Sequence, residues 1–392
     1  MPFAKIISLL CITLFLTSQP TLAETVTPSD RVTTSLKVRA EPSTSSQEVG
    51  RLRLGESADL IESVPHWYHV KLSDDTEGYV YKSWSKLLTS SSQQLEVHFI
   101  DVGQGDSTLV ICPNGKNILV DAGSSADGDV DKVKDYIVNE LDKHERRINS
   151  LIITHPDTDH YNLIPDITAN IHVDHIFSVG QVEDYRTSFQ EWLNGKPDNI
   201  KTVLDSNYFD PAITPNPDID CGAAEVYFLA SAINSNFSRK NTMSIVTMIR
   251  YGSFEVLLTG DATKKTEEAI IGRYDNNWLD VDVLKIGHHG SLSTSTTQQW
   301  ADIVKPELAV VSAGNKSSHG HPRKEVLERL DDHTVDNAAP HLMSSATGTR
   351  GNYTWHNDSS YSESIYSTDT NGNVVVTSDG GGYSAKTSFH EE

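Results

Sequence analysis

Ten consecutive residues limit this chain more than any other stretch: Leu151-Ile-Ile-Thr-His-Pro-Asp-Thr-Asp-His160. Leu151, Ile152 and Ile153 read as the end of a buried strand. Pro156 lacks the backbone N–H that a regular helix through the segment would need. His155, Asp157, Asp159 and His160 then crowd four metal-capable side chains into six positions. Two imidazoles and two carboxylates on one loop are costly unless something positive sits between them, and a divalent metal is the simplest such object. Asp, Thr and Pro are also ordinary residues of an exposed turn. The position decides between the two, because loops leaving buried strands are where α/β proteins hold their chemistry.

The first residues form a separate class. Lys5 precedes the apolar run Ile6 to Leu16, and Thr21-Leu-Ala23 places small residues before a cleavage point. This predicts an export signal over 1–23, removed near Ala23, and a secreted or periplasmic mature chain. The run is too short for a bilayer, which takes about 20 residues, so no membrane span is expected in the mature chain. Cys112 and Cys221 remain after cleavage, and a disulfide or two buried thiols are both open. The formal net charge is −22 and no basic run occurs. That counts against tight, processive DNA binding, though not against phosphodiester cleavage.

The 392 residues suffice for two or three domains. Over 29–88, the runs Ser35-Leu-Lys-Val-Arg, Ala58-Asp-Leu-Ile and Trp67-Tyr-His-Val-Lys-Leu alternate between polar turns. They predict a small all-β barrel. A polar linker, 89–94, leads to strands alternating with helices over 95–348. Among them is a hairpin of Thr108–Cys112 with Asn117–Asp121 through Pro113-Asn-Gly115. Residues 349–392 read as a terminal hairpin, Ser362–Ser367 with Asn373–Thr377, and a polar tail.

Three more strand ends carry polar ligand types: Leu257-Leu-Thr-Gly-Asp261, Leu284-Lys-Ile-Gly-His-His-Gly-Ser291 and Gly320-His-Pro322. A lone histidine at a strand end is usually just a satisfied polar group. Four such ends in one chain are a stronger coincidence, since the ends of strands in one sheet converge on a common face.

The segment 29–88 resembles the bacterial SH3-like family through Leu36-Lys-Val-Arg-Ala-Glu-Pro-Ser, Gly50-Arg-Leu-Arg-Leu-Gly55, Trp67-Tyr-His-Val and Gly78-Tyr-Val-Tyr. That resemblance implies cell-wall peptide or glycan as a partner. From Leu95 onward, Phe99-Ile-Asp-Val-Gly-Gln-Gly-Asp-Ser107, Leu119-Val-Asp-Ala-Gly123, Thr154-His-Pro-Asp-Thr-Asp-His160, Leu258-Thr-Gly-Asp261 and His288-His-Gly-Ser291 follow in order. They resemble the metallo-β-lactamase fold, in the branch similar to the extracellular domain of ComEC. This implies an α/β fold, an αββα sandwich preceded by the small all-β SH3-like barrel. His155 and Asp157 would hold one metal, and Asp159 and His160 the other. Asp261 would bridge and His288 would complete the second position. Asp121 would orient the ligand loop, with Asp106 and Ser291 nearby. The catalytic set implied is Asp159 to orient water, with His289 and His321 near the substrate.

Asp157 stands where that superfamily more usually has histidine, and no mid-domain histidine completes the first position. His172 and His175 follow the motif closely, and Asn241-Thr-Met-Ser244 fills the region ahead of Asp261. One or two divalent metals are expected. A carboxylate in place of an imidazole favours Mn²⁺ or Mg²⁺, with Zn²⁺ a weaker candidate. The expected activity is exported metal-dependent phosphodiester hydrolysis, with DNA as the leading substrate. The alternatives are a cell-wall phosphodiesterase acting on teichoic acid or phospholipid head groups, and a non-catalytic wall-binding protein on a hydrolase fold. Lactam hydrolysis fits Asp157 poorly.

Overall fold

The computed structural model describes residues 25–29, 32–88, 94–125, 130–143, 146–206, 214–233, 240–334, 343–358 and 364–388. The predicted export signal over 1–23, most of the 89–94 linker and the end of the tail lie outside the described residues. No helix among the described residues is long and apolar enough to cross a membrane.

Residues 25–88 form a seven-stranded antiparallel unit. Its alternating residues Val26, Leu36, Val38, Leu52, Tyr68, Val70 and Val80 turn inward onto one small core. Lys82 closes this unit against the rest of the chain. Its Nζ donates to both carboxylate oxygens of Glu225 at 3.0 Å, and Ser63 Oγ donates to the same carboxylate at 2.6 Å. The Lys82 side chain is only 2% exposed. Burial pulls its ammonium down from the ordinary lysine range, opposed by Glu225. Burial also pushes Glu225 up, but Lys82, Ser63 and Tyr227 outweigh it and hold that carboxyl below its usual value.

Glu225→Ala is therefore expected to cost about 3 kcal/mol, since it strands a buried ammonium. A depressed carboxyl contributes stability that is present above its unfolded pKa, about 4.3, and lost as pH falls through the lower folded value. Urea unfolding should thus show the difference between wild type and variant constant from neutral pH to about 4.3 and shrinking below it. Equal midpoints at neutral pH would show that the pair holds nothing together.

The remainder is a sandwich of an eight-stranded and a six-stranded sheet. Strands such as Ile118-Leu-Val120 and Val256-Leu-Leu258 are continuously apolar because both faces are covered. Ile118, Val120, Val256 and Leu258 face the core between the sheets, with Phe99, Phe177, Phe228 and Val310. Leu119 and its outward neighbours pack under the helix Val130–Asp142 through Val133, Ile137 and Leu141. Leu257 and Leu284 pack under Ile270, Trp300, Val304 and Leu327 on the other side. The layers are α, β, β, α. The Thr108–Cys112 hairpin with Asn117–Asp121 forms, as Gly105–Ile111 against Asn117–Ser124. Cys112 and Cys221 are disulfide-bonded at the edge of the inter-sheet core.

The C-terminal expectation needs correction. Ile365–Ser367 and Val374–Ser378 do not pair with each other. The first joins the six-stranded sheet parallel to Leu308–Val311, and the second joins the eight-stranded sheet antiparallel to Leu95–Phe99. Val374 and Val376 are fully buried between the sheets, and that burial offsets the polar composition around them. Val374–Ser378 does form a hairpin, but with Tyr383–Thr387. A second one joins Met343–Thr349 to Asn352–Asp358.

Candidate metal centre

Parallel pairing sets the frame. Arg147–Ile152 lies parallel to Asn117–Ser124, and Phe254–Leu258, Val283–Lys285 and Leu308–Val311 lie parallel to one another. Their C-terminal ends therefore open on one edge of the sandwich, where ligand sites of α/β sheets gather. From the first sheet comes Thr154-His155-Pro156-Asp157 and the single turn Thr158–Tyr161. The backbone of Gly123 lies directly beneath that turn. A Cβ at this glycine would come within 2.3 Å of the Asp159 carbonyl carbon and 2.4 Å of the His160 nitrogen.

From the second sheet come Asp261 and the turn Gly287–Gly290. His288 and His289 sit at φ 48° and 52°, in the left-handed region. Two adjacent non-glycine residues there cost about 1 to 2 kcal/mol each. Such strain persists only where the surroundings fix it, and it gathers at functional sites. Here His288 N donates to Gly260 O at 3.2 Å, Ser291 N to His288 O at 2.9 Å, and Ser295 Oγ to Gly287 O at 2.8 Å.

The strained turn sends the two rings to opposite sides of Asp261. His160 Nε2 is 3.3 Å and His289 Nε2 3.6 Å from Asp261 Oδ1, and His289 Nε2 is also 3.6 Å from Asp159 Oδ2. On the other side, His155 Nε2 is 3.8 Å and His288 Nε2 3.6 Å from Asp261 Oδ2, and His155 Nε2 is 3.6 Å from Asp157 Oδ2. Two donor sets thus share one carboxylate: His155, Asp157 and His288 on one side, Asp159, His160 and His289 on the other. The sequence reading gave His288 to the Asp159–His160 position and left His289 for the substrate. In the structure His289 Nε2 lies against Asp159 Oδ2, and His288 Nε2 lies against the Asp261 oxygen that also faces His155.

Each imidazole is turned the same way. His160 Nδ1 donates to Asp121 Oδ2 at 2.7 Å, and His289 Nδ1 to the Ser312 carbonyl at 2.8 Å. His288 Nδ1 donates to Thr294 Oγ1 at 2.6 Å, whose own proton goes to Ser291 Oγ at 2.7 Å. Thr154 Oγ1 gives its proton to Asp121 Oδ2 at 2.6 Å and so receives His155 Nδ1 at 3.1 Å. All four Nε2 atoms then face Asp261. His155, His160 and His289 Nε2 and Asp261 Oδ1 are buried without a hydrogen-bond partner. That arrangement fits a metal, because the second ring nitrogen of a ligating histidine is fixed by just such a partner.

Electrostatics agree. Burial opposes charge on Asp261, yet His289, His160 and His288 hold its carboxyl well below the usual range. Burial likewise opposes charge on His160, while Asp261 and Asp121 hold it well above the ordinary imidazole value. The site attracts positive charge strongly enough to hold protons against desolvation.

Asp157, Asp159 and His288 form the open side, with side chains 36%, 25% and 22% exposed. His321 lies beyond them, its ring 5.7 Å from that of His288. Burial and the neighbouring histidines push it down to about 3. Asp106 is buried beneath the centre in an ion pair with Lys285 and belongs to a donor group with Asp121 and His160. His172 and His175 stand apart on the strand His172–Val179, where His175 stacks on Phe177 and bonds Thr202.

Three contributors escaped sequence reasoning. Asn241 Nδ2 lies 3.1 Å from both Asp261 Oδ2 and His288 Nε2. Lys240 Nζ donates to the Pro156 carbonyl at 2.8 Å and stands 3.6 Å from Asp157 Oδ1. Lys285 had a legible signal, a lysine inside the apolar run Val283-Leu-Lys-Ile286.

Residues 34–86 match the bacterial SH3 domain family, and residues 100–176 match the metallo-beta-lactamase superfamily. The chain is 28% identical over 258 residues to "ComE operon protein 3" of Bacillus subtilis, covering 62% of this chain and 31% of that protein. It is 29% identical over 248 residues to "Recombination protein 2" of Haemophilus influenzae, covering 60% and 26%. It is 30% identical over 240 residues to "Competence protein ComA" of Neisseria gonorrhoeae, covering 60% and 29%. The match spans about a third or less of each relative's length. The chain is thus similar to bacterial SH3 domains over residues 34–86, to the metallo-beta-lactamase superfamily over residues 100–176, and to part of three competence and recombination proteins.

Proposed function

We propose that this protein is an exported metal-dependent phosphodiesterase that cleaves DNA. The observation that carries the reading is the pair of donor sets sharing Asp261, with four imidazole Nε2 atoms turned onto one carboxylate. Each set offers two imidazoles and two carboxylate oxygens, a donor mixture that suits Mn²⁺ better than a thiolate or all-histidine site would. His155, Asp157, Asp261 and His288 would hold one ion, and Asp159, His160, Asp261 and His289 the other. A bound divalent ion supplies an activated water and offsets charge on the phosphoryl oxygens.

Asp159, partly exposed at the rim, orients the attacking water. His289 belongs to the donor set and is not free to protonate a leaving group, and His321, held neutral by burial and its histidine neighbours, would serve the substrate as a neutral hydrogen-bonding group. DNA as substrate is supported by the competence and recombination names of the relatives. Export is supported by the Cys112–Cys221 disulfide, which persists in oxidising compartments. The SH3 unit would hold cell-wall peptide or glycan, and a groove of about 410 Å³ lined by Trp67, Tyr81 and Trp84 supports that role.

The test is to purify the chain, measure bound metal, and assay plasmid, single-stranded DNA and bis-p-nitrophenyl phosphate with Mn²⁺, Mg²⁺ and Zn²⁺. Metal-loaded protein that cleaves both DNA and the small diester is the expected result. Cleavage of the small diester alone would end the nuclease reading and leave the hydrolase. Protein that takes up no metal and turns nothing over would point to a binding module.

A further inference from the structure

The chain carries 54 acidic against 32 basic residues, so its surface should repel a polyanion. Beside the metal centre, two neighbouring lysines depart from that trend. A cavity of about 450 Å³ is lined by Asn241, Thr242, Thr263, Lys264, Lys265, His288, Ser293 and Thr294. No carboxylate lines it. Asn241 and His288 form its wall towards the centre. Lys264 and Lys265 are exposed, and Ser293 adds a hydroxyl, while Thr294 Oγ1 is held between His288 and Ser291 and Thr242 Oγ1 pairs with Thr263 Oγ1. Lys264 is tied in place by its backbone, which donates to the Thr294 carbonyl at 2.7 Å.

Lysine ammoniums and a serine hydroxyl without a competing carboxylate suit a phosphate, and the volume falls within the range of about 300 to 1,000 Å³ for small-ligand pockets. No aromatic ring other than His288 lines the cavity, so it lacks the stacking platform that binds bases. It offers contacts to a backbone phosphate only.

We propose that this cavity holds the phosphate next to the scissile one in a DNA strand, with Lys264 and Lys265 as its cationic contacts. The proposal rests on the phosphodiesterase reading above. It makes the enzyme selective for a polymer over an isolated diester without making it sequence-specific. It also explains how a chain of net charge −22 can approach DNA. Lys264 and Lys265 supply positive charge at the point where the strand would pass the metal centre.

The experiment compares the full chain with a Lys264→Glu/Lys265→Glu variant on bis-p-nitrophenyl phosphate and a short oligothymidylate. The oligonucleotide-to-small-diester ratio of kcat/KM should fall about tenfold or more, mostly through KM. The dependence of log KM on log salt should become shallower by about 0.7, the share of one single-strand phosphate contact. The Lys264→Arg/Lys265→Arg variant should keep most of the ratio. An equal fall on both substrates, or an unchanged salt slope, overturns the proposal.

Fluorescence anisotropy with labelled oligothymidylate separates this proposal from the functional reading. Lysine-dependent binding without cleavage supports the subsite and ends the nuclease reading. Cleavage with lysine-independent binding ends the subsite alone. Lysine-dependent binding of poly(glycerol phosphate) with none of the oligonucleotide overturns the commitment to DNA.

Discussion

Asp261→Asn is expected to empty both metal positions together, with metal affinity and hydrolysis falling by well over 100-fold. Removing a partner behind a metal ligand already costs about 10- to 100-fold, and Asp261 stands in front, shared by both donor sets. Its Oδ1 faces His160 and His289 and its Oδ2 faces His155 and His288. An asparagine keeps one acceptor oxygen. Its amide group donates protons to imidazole lone pairs that would otherwise meet the ion. The variant should therefore fold normally, with an unchanged circular dichroism spectrum and urea midpoint, while mass spectrometry of the metal content shows the loss. His155→Ala should be milder in stoichiometry, since only one set contains it. If Asp261→Asn kept its metal and its turnover of bis-p-nitrophenyl phosphate, the shared-carboxylate arrangement would be wrong.

The second large effect is on stability. The Cys112–Cys221 bond closes a loop of 109 residues. That loop contains Asn117–Ser124, Arg147–Ile152, His172–Val179 and Lys201–Leu204, the half of the eight-stranded sheet that carries the ligand loop. Closing a loop of this size restricts the unfolded chain by about 4 to 5 kcal/mol on the chain-entropy account. The Cys112→Ala/Cys221→Ala variant should lose roughly that much, read as a drop of about 5 to 6 °C in Tm for a chain of this length. Wild type treated with dithiothreitol should fall to the same value. An unchanged Tm in both would mean that the bond contributes nothing. Two titratable thiols in protein recovered from an oxidising compartment would mean that it does not form there.

Much of the fold was legible because its information is local. Apolar runs bounded by turn residues, such as Asn117–Asp121 after Pro113-Asn-Gly115, read as strands from neighbouring residues alone, and both faces of Ile118-Leu-Val120 are covered in the structure. The strand His172–Val179 was not legible. Its first half, His172-Val-Asp-His175, is polar because those residues lie near the sheet's rim, and only pairing with Arg147–Ile152 identifies it. The Ser-, Gly-, Asp- and Tyr-rich composition of the last forty or so residues suggested a peripheral hairpin of 362–367 with 373–377. Burial of Val374 and Val376 between the sheets outweighed that composition.

The sequence by itself determined that strand ends bearing His155 to His160, Asp261, His288 and His289 exist, because strand periodicity and ligand chemistry are written in neighbouring residues. Only the tertiary structure decided which histidine faces which oxygen of Asp261. That choice depends on the left-handed turn at His288 and His289. It depends equally on Nδ1 partners drawn from distant segments, Asp121, Thr154, Thr294 and Ser312. A ring's tautomer and direction are set by what packs behind it, and residues brought together from across two sheets leave no local trace.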